Sequence, residues 1–303
     1  MEISYLKTLV IAAETGNFSR TAEMLNMTQS AVSQRVKFVE DYFGHQLFAR
    51  SGTGLILTTA GSKVISRARN IISMEQELIN ELKRCAGGSC LTLGCTPTFG
   101  IFYLPRVLNR FLLKDANLND FKFNFVQPGQ AIKGLNEGIF DLAVIEHCHN
   151  LDLGGLFYKE LVDDELIFIS SPRLELGGET IRIDDLLRQR LYTRRDGCSS
   201  KQLLVENLKS FGHHLDEFNG VIISDDLRLN IESVTAGNGI SFISRSLVLD
   251  QLAAGTLRAH RVPEFRQIRR RSIILQPHRT AESLLNTLLE CIEDECRTFE
   301  WTP

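Results

Sequence analysis

The chain has no excess of charge of either sign. Its 34 lysines and arginines meet 37 aspartates and glutamates, for a net charge of −3 over 303 residues. Bulk charge therefore does not advertise a nucleic-acid partner. It remains compatible with a small base-reading segment attached to a larger neutral or acidic body. No stretch approaches the roughly twenty apolar residues of a membrane span. The opening Met1-Glu2-Ile3-Ser4 has neither the basic start nor the continuous apolar run of a secretory signal. A soluble cytoplasmic protein with no membrane partner is the expectation. The seven cysteines, Cys85, Cys90, Cys95, Cys148, Cys198, Cys291 and Cys296, are odd in number and irregularly spaced. They suggest no disulfide framework, and the lack of any Cys-x-x-Cys pair counts against a structural zinc site. A nucleophile elbow, a phosphate loop and an evident catalytic dyad are all missing. These absences count against the alternative of a solute-binding or enzymatic α/β protein with an incidental helical extension; no catalytic residue, resident metal or cofactor, and no enzyme, is expected. What is plentiful is apolar material, 43% of the chain, enough for sizeable cores in about two domains.

The most informative segment runs from Phe18 to Gly44. Thr28 is a fitting N-cap, since its hydroxyl can accept a first-turn N–H. Val32, Val36, Val39 and Phe43 then recur at spacings of four, three and four, which predicts one buried helical stripe. Gln29, Ser30, Ser33, Gln34 and Lys37 fall on a different face. Amides and hydroxyls read base edges, and a lysine suits a phosphate. Gly44 suits the end of the helix. Upstream, Leu6, Leu9, Val10 and Ala13 make a first amphipathic helix that stops near Gly16. Three helices with a short middle turn fit a helix-turn-helix unit. The plainer reading is a helical bundle with a solvated polar face.

The run from Leu47 to Thr58 follows directly. Two apolar pieces flank Ser51-Gly52-Thr53-Gly54, as in a short hairpin or wing. At this point the chain resembles the LysR-type transcriptional regulators. The matching pieces are Thr28-Gln29-Ser30-Ala31-Val32-Ser33, Val39-Glu40, Phe43-Gly44, Leu47-Phe48 with Arg50, Leu57-Thr58 and Ala60-Gly61. The resemblance implies a winged helix-turn-helix on double-stranded promoter DNA, with Thr28, Gln29, Ser30, Ser33, Gln34, Lys37 and Arg50 as contact residues. Thr21 departs from the family's small apolar residue, and Val39 and Phe43 replace leucines. Within the first sixty residues Lys7, Arg20, Arg35, Lys37 and Arg50 are matched by Glu2, Glu14, Glu23, Glu40 and Asp41. Affinity usually leans on phosphate neutralisation, so a neutral head implies several heads acting on one DNA molecule.

Thr59 suits the N-cap of a long helix. Val64, Ala68, Ile71, Glu75, Leu78, Leu82 and Cys85 follow alternating four–three spacing, with Ile65, Ile72 and Ile79 as a neighbouring row. Such a stripe packs against a partner helix or on its own domain. The resemblance favours the partner, because this is the family's dimerisation helix, and it implies a homodimer or homotetramer. Gly87-Gly88-Ser89 marks a boundary.

Beyond it, strands and helices alternate. Strands are predicted at Leu91–Cys95, Phe121–Val126, Asp141–Ile145, Leu166–Ile169, Val221–Ile223, Ile240–Ile243 and Ser272–Leu275. Helices are predicted at Ile101–Leu113, from Pro128-Gly129 to Glu137, and at Ser199–Phe211, Asp226–Ala236, Arg245–Ala253 and Ala281–Arg297. The pattern reads as open α/β sheets. Glu137-Gly138 with Asp141-Leu142-Ala143, and Val234 through Phe242, resemble the family's effector-binding domain. That domain looks like a periplasmic solute-binding protein with two lobes. The expected organisation is a winged helix-turn-helix at 1–58, a linker helix at 59–88 and an α/β effector domain at 89–303. Its lobe I would cover about 89–164 and 266–303, and its lobe II about 165–265.

Ligands of open α/β sheets bind beyond the strands' carboxyl ends, often at helix N-termini. Thr96-Pro97-Thr98-Phe99-Gly100 and Thr193 through Ser200 are two such loops. The resemblance places a small-molecule effector between them, and the free N–H groups and hydroxyls suit an anion. Thr96, Pro97, Thr98, Gly100, Thr193, Cys198, Ser199 and Phe242 are the candidates, against a plain capping role for the hydroxyls. Cys198, near Arg194, Arg195 and Lys201, raises the alternative of a reactive thiol sensor, although no second cysteine follows before Cys291. His147-Cys148-His149 has the residue types of a metal site, but a surface or cleft loop is the simpler reading. Arg269-Arg270-Arg271 reads as a solvated strand edge. Cys291 and Cys296 fall on an amphipathic helix and read as core.

Overall fold

The first helix forms because its apolar residues recur on one face. In the computed structural model, which describes residues 1–51, 54–85, 89–114, 118–148, 151–153 and 155–298, α1 (Ile3–Thr15) buries Leu6, Leu9, Val10 and Ala12. The short α2 (Phe18–Met24) starts at Asn17, whose side chain accepts from the N–H groups of Ser19 and Arg20. Thr21 on α2 is fully buried, yet its hydroxyl has partners. It donates to the Asn17 carbonyl at 2.8 Å and lies 2.7 Å from Thr15 Oγ1. A hydroxyl is therefore tolerated where the family keeps a small apolar residue.

Thr28 caps α3 (Gln29–Phe43), accepting from the Ala31 N–H at 3.2 Å, and Gly44 ends it with φ 68°. Val32, Val36 and Val39 are buried as expected. Phe43 is not: it is 41% exposed, because the last turn of α3 runs past the core. The hairpin pairs β1 (Phe48–Ser51) with β2 (Gly54–Leu57). Its tip residues, Gly52 and Thr53, lie outside the described residues.

The long α4 (Thr59–Cys85) is capped by Thr58 rather than Thr59, since the Gly61 N–H donates to Thr58 Oγ1 at 2.9 Å. The same hydroxyl donates to the Gln46 carbonyl, so one threonine ties the helix start to the segment that leads into β1. Gly61 permits that close approach: a Cβ there would stand 2.1 Å from the Leu47 carbonyl oxygen. Ile65, Ala68 and Ile72 join the core of α1–α3, while Ile71, Met74, Leu78, Ile79 and Leu82 are exposed. The stripe thus divides, with its first half packed on its own domain and its second half open. The Cys85 side chain lies outside the described residues.

Residues 1–90 with 133–140 form one compact unit, and 91–132 with 141–303 form another. The second unit begins with β3 (Ser89–Cys95), α5 (Pro97–Phe102) and α6 (Leu104–Lys114). One helix was expected from Ile101. Instead it starts at Pro97 and breaks at Tyr103, where Pro105 has no N–H to bond back to Ile101. Then come β4 (Leu118–Phe125), α7 (Pro128–Asn136), β5 (Leu142–His147), β6 (Phe157–Glu160) and β7 (Asp164–Ser170). They are followed by α8 (Ile183–Leu187), β8 (Leu191–Thr193), α9 (Ser199–Ser210), β9 (Val221–Ile223), α10 (Leu227–Thr235) and β10 (Ile240–Ser244). After a 3-10 turn at Arg245–Val248, where a regular helix was expected, come α11 (Leu249–Ala253), β11 (Arg258–His260), β12 (Ile268–Leu275) and α12 (Ser283–Thr298).

The strand order is β4-β3-β5-β12-β7-β10-β8-β9, with β6 on β12 and β11 on β7. It divides into two lobes that meet where β12 pairs with β7, Arg269 opposite Asp164. Lobe I packs Leu93, Val144 and Ile273 against Phe99, Val107, Phe111, Leu285, Leu288 and Ile292. In lobe II the period of two along β7 sends Leu166 and Phe168 to one core, Ile167 and Ile169 to the other. Cys291 and Cys296 are core residues on α12. A mixed α/β body of two lobes is thus what the alternating pattern produced.

Candidate functional sites

The polar face of α3 stands clear of its buried stripe. Gln29, Ser30, Gln34 and Lys37 are exposed and Ser33 is half-buried. Thr28 and Ser30 hydroxyls lie 3.0 Å apart, so Thr28 is partly committed to the helix start. Arg35 points elsewhere: it donates to Thr8 Oγ1 at 3.1 Å and lies over the Tyr5 ring. It serves the fold of the three-helix unit. Arg50 belongs to β1, but its side chain lies outside the described residues. The arrangement can present amides, hydroxyls and one ammonium to a groove, with little net charge.

The second site is a cavity of about 330 Å³ in the α/β body. Its walls include Thr96, Pro97, Thr98, Thr193, Cys198, Ser199 and Phe242, so seven of the eight residues chosen from sequence come together. Gly100 is not on the wall. A Cβ there would stand 2.3 Å from the Phe125 ring, and that ring does line the cavity. Gly100 acts by leaving room.

The sequence reading missed Arg269, which lines the cavity, and the buried Arg271 two residues on. The triplet on β12 is not a solvated edge. Only Arg270 is exposed, pairing with Glu160 at 3.3 Å. Arg269 is 4% exposed and Arg271 0%, because alternate residues of a strand share a face. Arg269 donates through Nε to Asp164 at 2.7 Å, through Nη1 to Ser199 Oγ at 2.7 Å, and through Nη2 to Thr98 Oγ1 at 2.9 Å. Arg271 donates to Glu146 and to Asp164, each at 2.9 Å, and lies 4.4 Å from the Tyr103 ring centre. Thr96 donates to the other Glu146 oxygen. Ser244 donates to Asp164 at 2.6 Å. Burial alone would raise the Asp164 carboxyl, but Arg269 and Arg271 outweigh it and hold it below the ordinary aspartate range. Burial pushes the Tyr103 phenol up to about 12 even beside Arg271.

Gln127, also missed, donates to the Asp196 carbonyl at 2.9 Å and lies 3.8 Å from Cys198 Sγ. A lone glutamine before a Pro-Gly turn carries no sequence signal. The three cations expected to activate Cys198 are all ion-paired, to two carboxylates. Arg194 and Arg195 share Asp225, at 3.2 and 2.8 Å, and Lys201 pairs with Asp196 at 2.8 Å. His147 is buried, with Nε2 3.0 Å from Ser272 Oγ. Cys148 donates to the Ser199 carbonyl at 3.2 Å. His149 lies outside the described residues, and among those described no group of metal ligands gathers.

A winged helix-turn-helix and a two-lobed α/β body with a small-molecule cavity define a class, the ligand-responsive DNA-binding regulators. Residues 3–62 match the bacterial regulatory helix-turn-helix of the lysR family, and residues 88–297 match the LysR substrate-binding domain. The chain belongs to the LysR family of transcriptional regulators. It is 29% identical over 262 residues to the uncharacterized HTH-type transcriptional regulator YwqM of Bacillus subtilis, covering 85% of this chain and 87% of that protein. It is 28% identical over 235 residues to a probable nitrogen assimilation transcriptional activator of Synechococcus elongatus, covering 73% and 75%. Among solved structures, full-length LysG from Corynebacterium glutamicum with bound effector Arg has a similar fold. The TM-score is 0.60 at 18% identity, over 98% of this chain and 99% of that one. No helix among the described residues is long and apolar enough to cross a membrane.

Proposed function

We propose that this regulator reads promoter DNA through α3, with Gln29, Ser30, Ser33 and Gln34 at base edges and Thr28, Lys37 and Arg50 on the backbone. It works in the cytoplasm as a homodimer or homotetramer, since a neutral head needs several copies on one DNA molecule. A small effector of anionic character occupies the cavity of the α/β body and adjusts DNA binding or bending. The observation that carries this reading is the cavity itself, walled by the loops that open α5 and α9 on opposite lobes. The effector regulates only if it binds one lobe arrangement better than another. The arginine in the LysG structure supports a small polar effector as a class. Footprinting on the gene's own upstream region tests the proposal. A protected site whose pattern changes with effector is expected, and no protection there or at neighbouring promoters sinks it.

A further inference from the structure

Neighbouring arginines of β12 line two different cavities. Arg269 belongs to the cavity already described, and Arg270, on the other face of the strand, lines a second one of about 260 Å³. The two cavities share no lining residue. The second lies on lobe I, against three paired strands. Arg270, Ser272 and Ile274 alternate onto one face of β12. The register sets His147 of β5 opposite Arg270, and Glu160 of β6 opposite Ser272.

The polar groups of this cavity are committed to different degrees. His147 and Ser272 are buried and bond to each other at 3.0 Å. Arg270 and Glu160 are more than half exposed and meet through one hydrogen bond, Nη1 to Oε1 at 3.3 Å. Among the described residues that is the only side-chain hydrogen bond either makes, so most of the guanidinium N–H groups and the second carboxylate oxygen are unspent. An exposed pair of this kind contributes little to stability, so it opens readily to a ligand that satisfies both charges. Leu151, Leu153, Ile274 and the Tyr158 ring supply apolar wall beside it.

We infer that this second cavity binds a zwitterionic amino acid with an apolar side chain. The α-carboxylate takes the Arg270 fork, the α-ammonium takes Glu160, and the side chain lies on the apolar wall. Charge balance selects the zwitterion. A simple acid would bring its charge against Glu160, and a simple amine against Arg270. The volume suits a small metabolite. Neither the DNA reading nor the effector reading of the first cavity is needed for this site.

Calorimetric titration of the full-length protein with L-leucine and L-phenylalanine tests this. Each is set beside its deaminated acid (isocaproate, hydrocinnamate) and its decarboxylated amine (isoamylamine, phenethylamine). Both amino acids are expected to bind about tenfold or more tightly than either analogue, and more tightly than glycine. Arg270→Ala and Glu160→Ala each lower amino-acid affinity about tenfold, with folding checked by thermal denaturation. Glu160→Ala also loses the preference over the acid, and Arg270→Ala the preference over the amine. Thr98→Val, in the first cavity, changes the affinity less than about twofold. Acids, amines or glycine binding as well as the amino acids would overturn the inference. So would full affinity in Arg270→Ala and Glu160→Ala, loss of affinity in Thr98→Val, or no binding of either amino acid.

Discussion

Gln29–Lys37 and Arg269–Arg271 are both polar runs next to apolar ones, and they end in opposite surroundings. The first is the open face of a helix. The second is threaded through a strand whose inner face lies under the cavity floor. On α3 Gln29, Ser30, Gln34 and Lys37 are exposed, and it is Arg35 of this run that reaches back to α1. On β12 two of three arginines are committed to Asp164, Glu146, Thr98 and Ser199. Removing a side chain should therefore separate function from stability in one run and join them in the other.

The largest effect is expected from Arg271→Ala, which leaves the buried Glu146 without its cation and Asp164 with Arg269 alone. A loss of about 3–5 kcal/mol is expected in urea denaturation, and a change under 1 kcal/mol would break the comparison. Acid should act in the same direction. Because the Asp164 pKa is lowered on folding, its contribution is complete above the ordinary aspartate range and is lost as pH falls through the lowered value. Stability followed across acid pH in the wild type and in Asp164→Asn checks this, since the variant should lose that part of the pH dependence.

Next come the α3 residues proposed to read bases. Gln29→Ala and Ser33→Ala should cost about 1–3 kcal/mol of discrimination at the bases they touch, with stability moving less than about 0.5 kcal/mol. Lys37→Ala should weaken specific and random DNA alike and flatten the salt dependence, in mobility-shift titrations at several salt concentrations. Equal losses on specific and random DNA for all three variants would contradict the assigned roles. Arg270→Ala, one residue from Arg271, should change stability by no more than about 1 kcal/mol, because its pairing with Glu160 is exposed. The smallest effect, none, is expected from Cys198→Ser on the peroxide response of DNA binding. A response present in the wild type and lost in this variant would favour the thiol-sensor reading.

The two runs also mark what was legible in the sequence. Helix α3 could be read because Val32, Val36 and Val39 recur at helical spacing between a threonine cap and a glycine stop, so its other face had to be polar. The cavity-lining loops could be read because Thr96-Pro97-Thr98 and Cys198-Ser199 fall between a strand and a helix. Arg269 and Arg271 could not be, because charge alone argues for solvent and their partners lie far along the chain. Asp164 is 105 residues from Arg269, and Glu146 is 125 from Arg271. The one available hint was the strand period, which separates the middle arginine from its neighbours. Phe43 failed for the opposite reason: spacing places it on the buried stripe, but only the packing shows where that stripe runs out. The start of α4 shifted by one residue because Thr58 and Thr59 are equally good caps in sequence, and only the Gln46 carbonyl distinguishes them.

The divided stripe of α4 has a consequence for gene dosage. Met74, Leu78 and Leu82 remain exposed within one chain, with Leu82 61% exposed. If that face is covered only by another copy, the stability of this segment rises with the number of molecules present. A cell making few copies would then hold regulators that are less stable, as well as fewer of them. Occupancy of a promoter would fall faster than the copy number itself.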